Sequence, residues 1–251
     1  METKMPRLAL WIAYDGTRFA GWQIQQRERS VQGCLERALS TICNQPIRVH
    51  GAGRTDSGAH ALGQVAHCDI PEAKTGVPWR KALNALLPDD MCVTSAQWAE
   101  DSFHARYSAK GKVYSYTLWR APEYVIPQRR PFVWPAGELD TEAMREVAEV
   151  FPGRRDFAAM QNLGTPVAHT VRTVESVHLE RGQRPEETVV FIRADGFLKQ
   201  MARIMVGCLV QAGRHKLSPE EMVAILDSGD RSRAAATAPA KGLCLERVLY
   251  E

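Results

Sequence analysis

Apolar and polar positions along the first part of the chain predict three short strands and two helices. Residues 7–14, RLALWIAY, form a short apolar run that ends at the turn pair Asp15-Gly16, which predicts a buried strand. Ser30 precedes apolar residues at helical spacing through Ile42, which predicts a helix capped by Ser30. The other elements predicted here are a strand over 63–70, a helix over 78–87 that opens on proline, and a strand over 91–98.

The rest of the chain predicts the same types of element. Residues 112–120, KVYSYTLWR, alternate aromatic and polar side chains as a strand does, and a proline-rich connection over 122–135 follows. The pattern then predicts a helix over 141–151, strands over 170–180 and 187–194, a long helix over 197–213, a helix over 218–226 with a capping box, and a strand over 242–250. Together these elements predict an α+β fold in two halves, with a boundary near 108–111.

Composition places the chain among ordinary globular proteins. Its 251 residues are 45% hydrophobic and 24% charged, which suits one large domain or two small ones. A net charge of +3 mildly favours an anionic partner. The six cysteines include no CxxC pair, which argues against a zinc ribbon or disulfide scaffold and favours a reducing cytoplasm. No apolar stretch approaches the ~20 residues that cross a bilayer, so no membrane association is expected.

The chemically densest segment is the loop GAGRTDSGAHALGQ, residues 51–64. Gly53 and Gly58 flank Arg54-Thr55-Asp56 and permit backbone conformations that let a substrate approach closely. A carboxylate in such a loop can serve as a nucleophile or a general base, which makes Asp56 a candidate catalytic residue. The alternative is an Asx-type turn in which the carboxylate accepts hydrogen bonds from local N–H groups, and the loop on its own favours this alternative.

Two further features can contribute to such a site. Arg203 lies in the largely apolar pattern of the long helix, where a buried arginine requires a partner and would keep an opposing Asp56 ionised. The alternative is an arginine at the helix edge with its head in solvent. Tyr114 and Tyr116 face the same side of a predicted strand and can stack on a base, although such pairs are more often part of a core.

Short basic clusters suit contacts with RNA phosphates, and several together favour a basic face. They are found at Arg27 and Arg29, at Lys110 and Lys112, on a loop at Arg154-Arg155, and at Arg214-His215-Lys216. His60, His67 and Cys68 lack zinc-finger spacing and are interpreted as structural. The chain has neither a GxGxxG fingerprint nor a Walker loop, and nothing in it resembles a flavin, nicotinamide or PLP site.

The loop sequence GAGRTDSGAHALGQV closely resembles the catalytic motif of the TruA family of tRNA pseudouridine synthases. Further segments resemble the same family in the same order, namely YDGTRFAGWQIQ, SVQGCLERAL, FHARYSAKGKVYSYTL, DGFLKQMARIMVGCLVQAG and APAKGLCLERVLY. The resemblance spans nearly the whole chain, and the ordered set of motifs is more specific than the RTD loop alone.

The resemblance implies roles for individual residues. Asp56 matches the family's catalytic aspartate, and Tyr114 matches the tyrosine that stacks on the target base. Arg203 matches the basic residue that pairs with the aspartate, and Leu245 matches an apolar residue that lines the pocket. Arg54, beside Asp56, is expected to hold a phosphate or to help expel the target base.

Contacts with the RNA are also expected from basic residues outside the motif, namely Arg27, Arg29 and Lys110. The family fold implies two α/β-sandwich-like halves with mainly antiparallel sheets, joined around a basic RNA-binding cleft. In this chain, residues 1–108 would form an N-terminal subdomain with the aspartate loop, and residues 109–251 a C-terminal subdomain that completes the cleft.

Activity and partners follow from the same resemblance. Family members isomerise uridine to pseudouridine at positions 38 to 40 of the tRNA anticodon stem-loop, and they look like homodimers in which both subunits touch one tRNA. They use no cofactor and no metal. A cytoplasmic, homodimeric tRNA-modifying isomerase is therefore the expectation for this chain.

The chain departs from the family pattern beside the expected site. Lys199-Gln200 and Ala202 stand where the family often has Tyr-His and Val. Ser57 and Ala59 replace the commoner Ala and Val of the catalytic loop. Arg203 is retained, so catalysis is expected, and the changed neighbours leave the preferred tRNA position open.

Isomerisation of uridine breaks the N1–C1′ bond, turns the base and joins C5 to C1′, which is redox-neutral and needs no cofactor. The uridine must leave its stack and the detached uracil must be held against the ribose. Asp56 can attack C1′, attack C6 of the base or take a proton from C2′, and the sequence leaves these routes open.

Two other functions also remain open at this point. One is an RNA-binding protein that reshapes tRNA without modifying it, which would not need Asp56 because a carboxylate near phosphates costs affinity. The other is an enzyme of the same family that acts on a different RNA.

Overall fold

The computed structural model describes residues 5–162, 164 and 167–251, and its elements fall into two units. Unit 1 contains the chain up to Lys110 together with Leu245–Glu251, and unit 2 contains Gly111–Cys244. The strands are β1 Arg7–Tyr14, β2 His50–Gly51, β3 His60–Asp69, β4 Met91–Ala99, β5 Gly111–Trp119, β6 Trp134–Pro135, β7 Gly153–Asp156, β8 Val171–Arg181, β9 Glu187–Ala194 and β10 Leu243–Leu249. The α-helices are α1 Val31–Cys43, α2 Trp79–Asn84, α3 Thr141–Ala148, α4 Met201–Gly213 and α5 Pro219–Ser228.

The sheet of unit 1 is built around β1, which pairs antiparallel with β3 on one side and β4 on the other. Leu8, Leu10 and Ile12 are buried because alternate side chains of this strand face the core. β2 and residues 245–249 of β10 lie beside β3. α1 follows Ser30, whose Oγ accepts a hydrogen bond from the Gly33 N–H at 3.2 Å, and this confirms the predicted cap.

The sheet of unit 2 has the order β5-β9-β8-β7, with antiparallel pairs throughout and β7 at its edge. β6 runs parallel to β5 for two residues. α3 packs against α4 and β8. The predicted capping box of α5 is present, because Ser218 Oγ accepts from the Glu221 N–H and Glu221 accepts from the Ser218 N–H.

Several sequence expectations are wrong in detail. α3 ends at Ala148 rather than at residue 151, and β3 begins at His60 rather than at residue 63. α4 begins at Met201 rather than at residue 197, because Gln200 has a φ of 63°, which an α-helix cannot continue. α2 ends at Asn84 rather than at residue 87, and the Asn84 side chain instead bonds both backbone groups of Val93 on β4. Arg154 and Arg155 lie on β7 rather than on a loop, because Gly153–Asp156 pairs with β8.

These units give a mixed α/β fold with mainly antiparallel strands, which confirms the predicted fold class. Among the residues that the structure describes, no helix is long and apolar enough to cross a membrane.

Candidate active site

Asp56 lies in the loop between β2 and β3 of unit 1. The loop starts from the sheet, where the Ala52 N–H donates to the Val65 carbonyl at 2.7 Å. Gln64, fully buried on β3, donates from Nε2 to the Gly53 carbonyl at 3.0 Å. The loop then turns at Asp56, whose carbonyl accepts from the Ala59 N–H at 3.1 Å. The Asp56 carboxylate is therefore half-buried at the tip of the loop, and the base of the loop is held by buried polar contacts.

A second segment of unit 1, residues 14–22, fixes the same loop from the other side. The Tyr14 hydroxyl and Thr55 Oγ1 form a buried hydrogen bond of 2.8 Å. The Trp22 N–H donates to the Thr55 carbonyl at 3.1 Å. Ser57 Oγ donates to the Phe19 carbonyl at 3.2 Å. The residues directly before and after Asp56 are therefore both tied to this segment, which limits where the carboxylate can lie.

Two glycines of the 14–22 segment allow this close contact. A Cβ on Gly16 would lie 1.9 Å from the Ala59 carbonyl oxygen, and one on Gly21 would lie 2.6 Å from the Thr55 carbonyl oxygen. Gly21 also has a φ of +103°, which residues with a side chain rarely adopt. Only glycine fits at these two positions without a shift of the aspartate loop.

His60 joins the same two segments. Its Nδ1 accepts a hydrogen bond from the Gly16 N–H at 3.0 Å and lies 3.2 Å from Asp15 Oδ1. His67 is also structural, because its Nδ1 accepts from the Ala105 N–H at 3.1 Å. Burial lowers the pKa of His67 to about 4. In the described part of the chain, no group of three or more His, Cys, Asp or Glu side chains is arranged to hold a metal ion.

Tyr114 and Tyr116 of unit 2 lie on β5 and are both buried, with 7% and 0% of their surface exposed, and they differ in their partners. The Tyr116 hydroxyl is part of the core, where it donates to the Pro239 carbonyl at 2.7 Å, and burial raises its pKa well above the usual range. The Tyr114 ring packs edge-on against Phe197, with ring centroids 4.8 Å apart and planes at 84°. Phe197 therefore sets one side of the Tyr114 ring, a role that the sequence pattern did not single out.

Arg203 is the third residue of α4 and is half-buried. Its Nε donates to the Ala238 carbonyl at 2.7 Å, and the Ala238 N–H donates to the Arg203 carbonyl at 3.2 Å. This reciprocal pair holds the stem of the arginine against the segment before β10. The backbone thus positions the guanidinium. This differs from the alternative interpretation, in which the head of Arg203 extends freely into solvent.

The predicted RNA-contact residues have different environments. Arg54, Arg27 and Lys110 are exposed, and Arg27 has a left-handed φ of 64°. Leu245 is fully buried in unit 1. The roles of Arg54, Arg27 and Lys110 in RNA binding, and of Leu245 in lining the pocket, stay predictions.

Arg29, the remaining predicted contact, is held by neighbours within unit 1. Its two terminal nitrogens bond both carboxylate oxygens of Asp90 at 2.6 and 2.5 Å, and its guanidinium lies 4.2 Å from the Phe19 ring centroid. The hydrogen bonds from Arg29 lower the pKa of Asp90. Phe19 in turn contacts the aspartate loop, so Arg29 supports the loop whether or not it contacts RNA.

Comparison with known proteins shows matches along nearly the whole chain. A family model described as tRNA pseudouridine synthase matches residues 10–108 and 147–251. A protein of Solidesulfovibrio magneticus called tRNA pseudouridine synthase A is 56% identical over 251 residues, covering 98% of this chain and 92% of that protein. Its namesake in Maridesulfovibrio salexigens is 49% identical, with 98% and 91% covered, and that in Clostridium botulinum is 39% identical, with 98% and 100% covered.

Among solved structures, a chain of "Crystal Structure of a Cbf5-Nop10-Gar1 Complex" is similar at a TM-score of 0.35 and 10% identity. The alignment covers 94% of this chain and 57% of that chain.

Proposed function

The chain belongs to the tRNA pseudouridine synthase family, a family of tRNA-modifying isomerases, and from that premise we propose that it converts uridine to pseudouridine at positions 38 to 40 of the anticodon stem-loop. The observation that carries this proposal is the aspartate loop. It presents one half-buried carboxylate, Asp56, between the exposed side chains of Arg54 and Ser57, on a backbone fixed from two sides.

In this proposal Asp56 is the principal reacting group. The N1–C1′ bond breaks, the uracil turns while it remains bound, and C5 bonds to C1′. The proton from C5 is lost to a base and N1 ends protonated, so atoms and electrons balance without a redox partner. Asp56 starts the sequence by attack on C1′, by attack on C6 or by taking the C2′ proton, and each route requires the carboxylate in its ionised form.

Tyr114 and Arg203 have supporting roles. Tyr114 stacks on the uracil, as the family resemblance implies, and Phe197 holds the tyrosine ring from one side. Arg203 is the basic residue that the family resemblance pairs with Asp56, and the backbone of unit 2 holds the stem of this arginine. Leu245 lines the pocket, and Arg54 holds a phosphate or helps to expel the base.

Partners and location follow from the family resemblance. We expect a homodimer in which both subunits contact one tRNA, with Arg27, Arg29 and Lys110 among the RNA contacts. We also expect a cytoplasmic enzyme, and the six free cysteines support a reducing compartment.

The positions are tested with tRNA transcripts that carry a single uridine at 38, 39 or 40, and with a control transcript that carries cytidine at all three. Mass spectrometry of nuclease fragments should find pseudouridine at the single uridine and none in the control. Pseudouridine outside the anticodon stem-loop, or only in another RNA of a test panel, would contradict the proposed positions.

A further inference from the structure

Two arginines face each other at the edge of the unit 2 sheet. β7 and β8 pair antiparallel, and the register places Arg155 directly opposite Arg172. Directly opposed residues of adjacent strands lie on the same face with their Cβ atoms about 5 Å apart. Like charges in this position destabilise a sheet, so the pair calls for a compensating negative charge.

Neighbouring groups orient one guanidinium of the pair but do not neutralise it. Arg172 Nη1 donates to the carbonyls of His169 and Val171 at 3.1 and 2.6 Å, and it lies 3.3 Å from His169 Nδ1. None of these atoms belongs to a carboxylate. Within the described part of the chain, the Arg155 side chain has no hydrogen bond or ion pair, although the residue is half-buried.

The nearby carboxylates have other partners. Asp156 follows Arg155 directly, and its Oδ1 accepts from the Ala158 N–H at 2.9 Å. Asp195 Oδ1 accepts from the Thr173 N–H at 3.0 Å. Glu175 on β8 pairs with Arg193 at 2.5 Å. Within the described part of the chain, none of these three carboxylates forms an ion pair with Arg155 or Arg172, so both guanidinium groups can pair with an external anion.

The pair is also linked to Tyr114 by direct packing. An added Cβ on Gly196 would lie 3.5 Å from Arg172 Nε and 3.6 Å from its Cδ, so the Arg172 side chain lies over this glycine. The next residue, Phe197, packs against the Tyr114 ring. Gly196 and Phe197 thus connect the arginine pair to Tyr114, the side chain proposed to stack on the target base.

We propose that Arg155 and Arg172 together bind one phosphodiester group of the tRNA, close to the nucleotide that stacks on Tyr114. Planar guanidinium groups match the geometry of phosphate oxygens. A phosphate bound between two of them is attracted by both positive charges, and its negative charge offsets their mutual repulsion. This inference rests on the proposed function, because it takes the phosphate from the same tRNA substrate.

Substitution of Arg155 with a matched control tests the site. Arg154 is adjacent on β7 but points to the opposite face, so Arg154→Gln removes the same charge without touching the pair. Arg155→Gln should weaken tRNA binding on the order of tenfold and reduce the slope of log affinity against log salt by about 0.7 to 0.9. Arg154→Gln should change both quantities much less. Equal losses in the two variants would overturn the site in favour of a diffuse basic surface.

A double variant and a stability measurement separate binding from structure. Arg155→Gln with Arg172→Gln should lose no more than about tenfold in affinity, since both arginines hold the same phosphate. Losses that multiply would contradict a shared phosphate. The melting temperature of free Arg155→Gln should equal or exceed that of the wild type, because a like-charge contact is removed. A lower melting temperature would indicate a structural role instead.

Inorganic phosphate serves as a probe for the source of the anion. It should raise the melting temperature of the wild type more than that of Arg155→Gln. If phosphate raises the melting temperature of the wild type more, while tRNA affinity is the same in both proteins, the site binds free phosphate and its assignment to a tRNA phosphate is overturned. Wild-type turnover of tRNA in the same preparation tests the proposed function separately. An inactive wild type would contradict the proposed function, whereas unchanged tRNA affinity in Arg155→Gln would contradict the phosphate site.

Discussion

Gly21 and Thr55 lie in direct contact, and a Cβ on Gly21 would stand 2.6 Å from the Thr55 carbonyl oxygen. Thr55 immediately precedes Asp56, and the Asp56 carbonyl carbon lies 3.3 Å from the same point. The position of the candidate catalytic carboxylate therefore depends on the absence of a side chain at a residue distant in sequence.

Gly21→Ala should reduce activity strongly. The added methyl must displace the 55–57 backbone, and the φ of +103° adds strain. A misplacement of about 1 Å at a reacting group can cost about a hundredfold in rate, so kcat/KM should fall by about that factor. Gly76→Ala is the matched control, because a Cβ there meets nothing within 4 Å. Steady-state kinetics on tRNA with both variants checks this, and equal activity of Gly21→Ala and wild type would contradict it.

Tyr14→Phe should lower both stability and activity. The change removes the buried 2.8 Å hydrogen bond to Thr55 Oγ1. An unsatisfied buried hydroxyl costs about 1–3 kcal/mol, so the free energy of unfolding in urea should fall by that amount. Thr55→Val removes the same bond from the other side, and the double variant should cost less than the sum of the two. Strict additivity would show that the two side chains do not act as a pair.

Stability should decrease below neutral pH because of His67. Its ordinary pKa of 6.5 falls to about 4 in the folded protein, chiefly through burial. Between these two pH values the unfolded chain binds a proton at His67 and the folded protein does not. The contribution of His67 to the free energy of unfolding is therefore fully present above pH 6.5 and is lost as the pH falls towards 4. His104, whose pKa is also lowered by burial, adds to the loss in the same direction.

Urea unfolding between pH 4 and 7 measures this dependence. His67→Asn keeps an acceptor for the Ala105 N–H but does not titrate, so its stability should vary less with pH than that of the wild type. An unchanged pH dependence in His67→Asn would rule out His67 as the cause.

Features that depend on adjacent residues could be predicted from the sequence. The Ser30 cap, the Ser218–Glu221 capping box and β1 each rest on side-chain type and spacing within one short segment. The start of α4 could not be predicted, because the apolar pattern continues through Gln200 while the backbone there is left-handed. Periodicity reports which side chains prefer burial and does not report a local φ.

Contacts between distant segments lay outside what the pattern predicts. The Gly21–Thr55 contact and the Arg155–Arg172 register both arise when separate segments pair, and no spacing rule encodes them. The RTD loop on its own favoured a simple Asx turn, and only the family resemblance identified Asp56 as a candidate catalytic residue. The structure adds the contacts of Tyr14, Phe19 and Ser57 that hold this loop.

The most direct test of Asp56 as the reacting group is release of tritium from tRNA labelled at uracil C5, with the wild type compared with Asp56→Asn. Formation of the C5–C1′ bond must expel the hydrogen from C5. We expect release by the wild type and none above background by Asp56→Asn, with tRNA affinity largely retained because the variant keeps the loop and the basic residues. Release by Asp56→Asn at a rate close to that of the wild type would contradict the assignment of Asp56 as the reacting group.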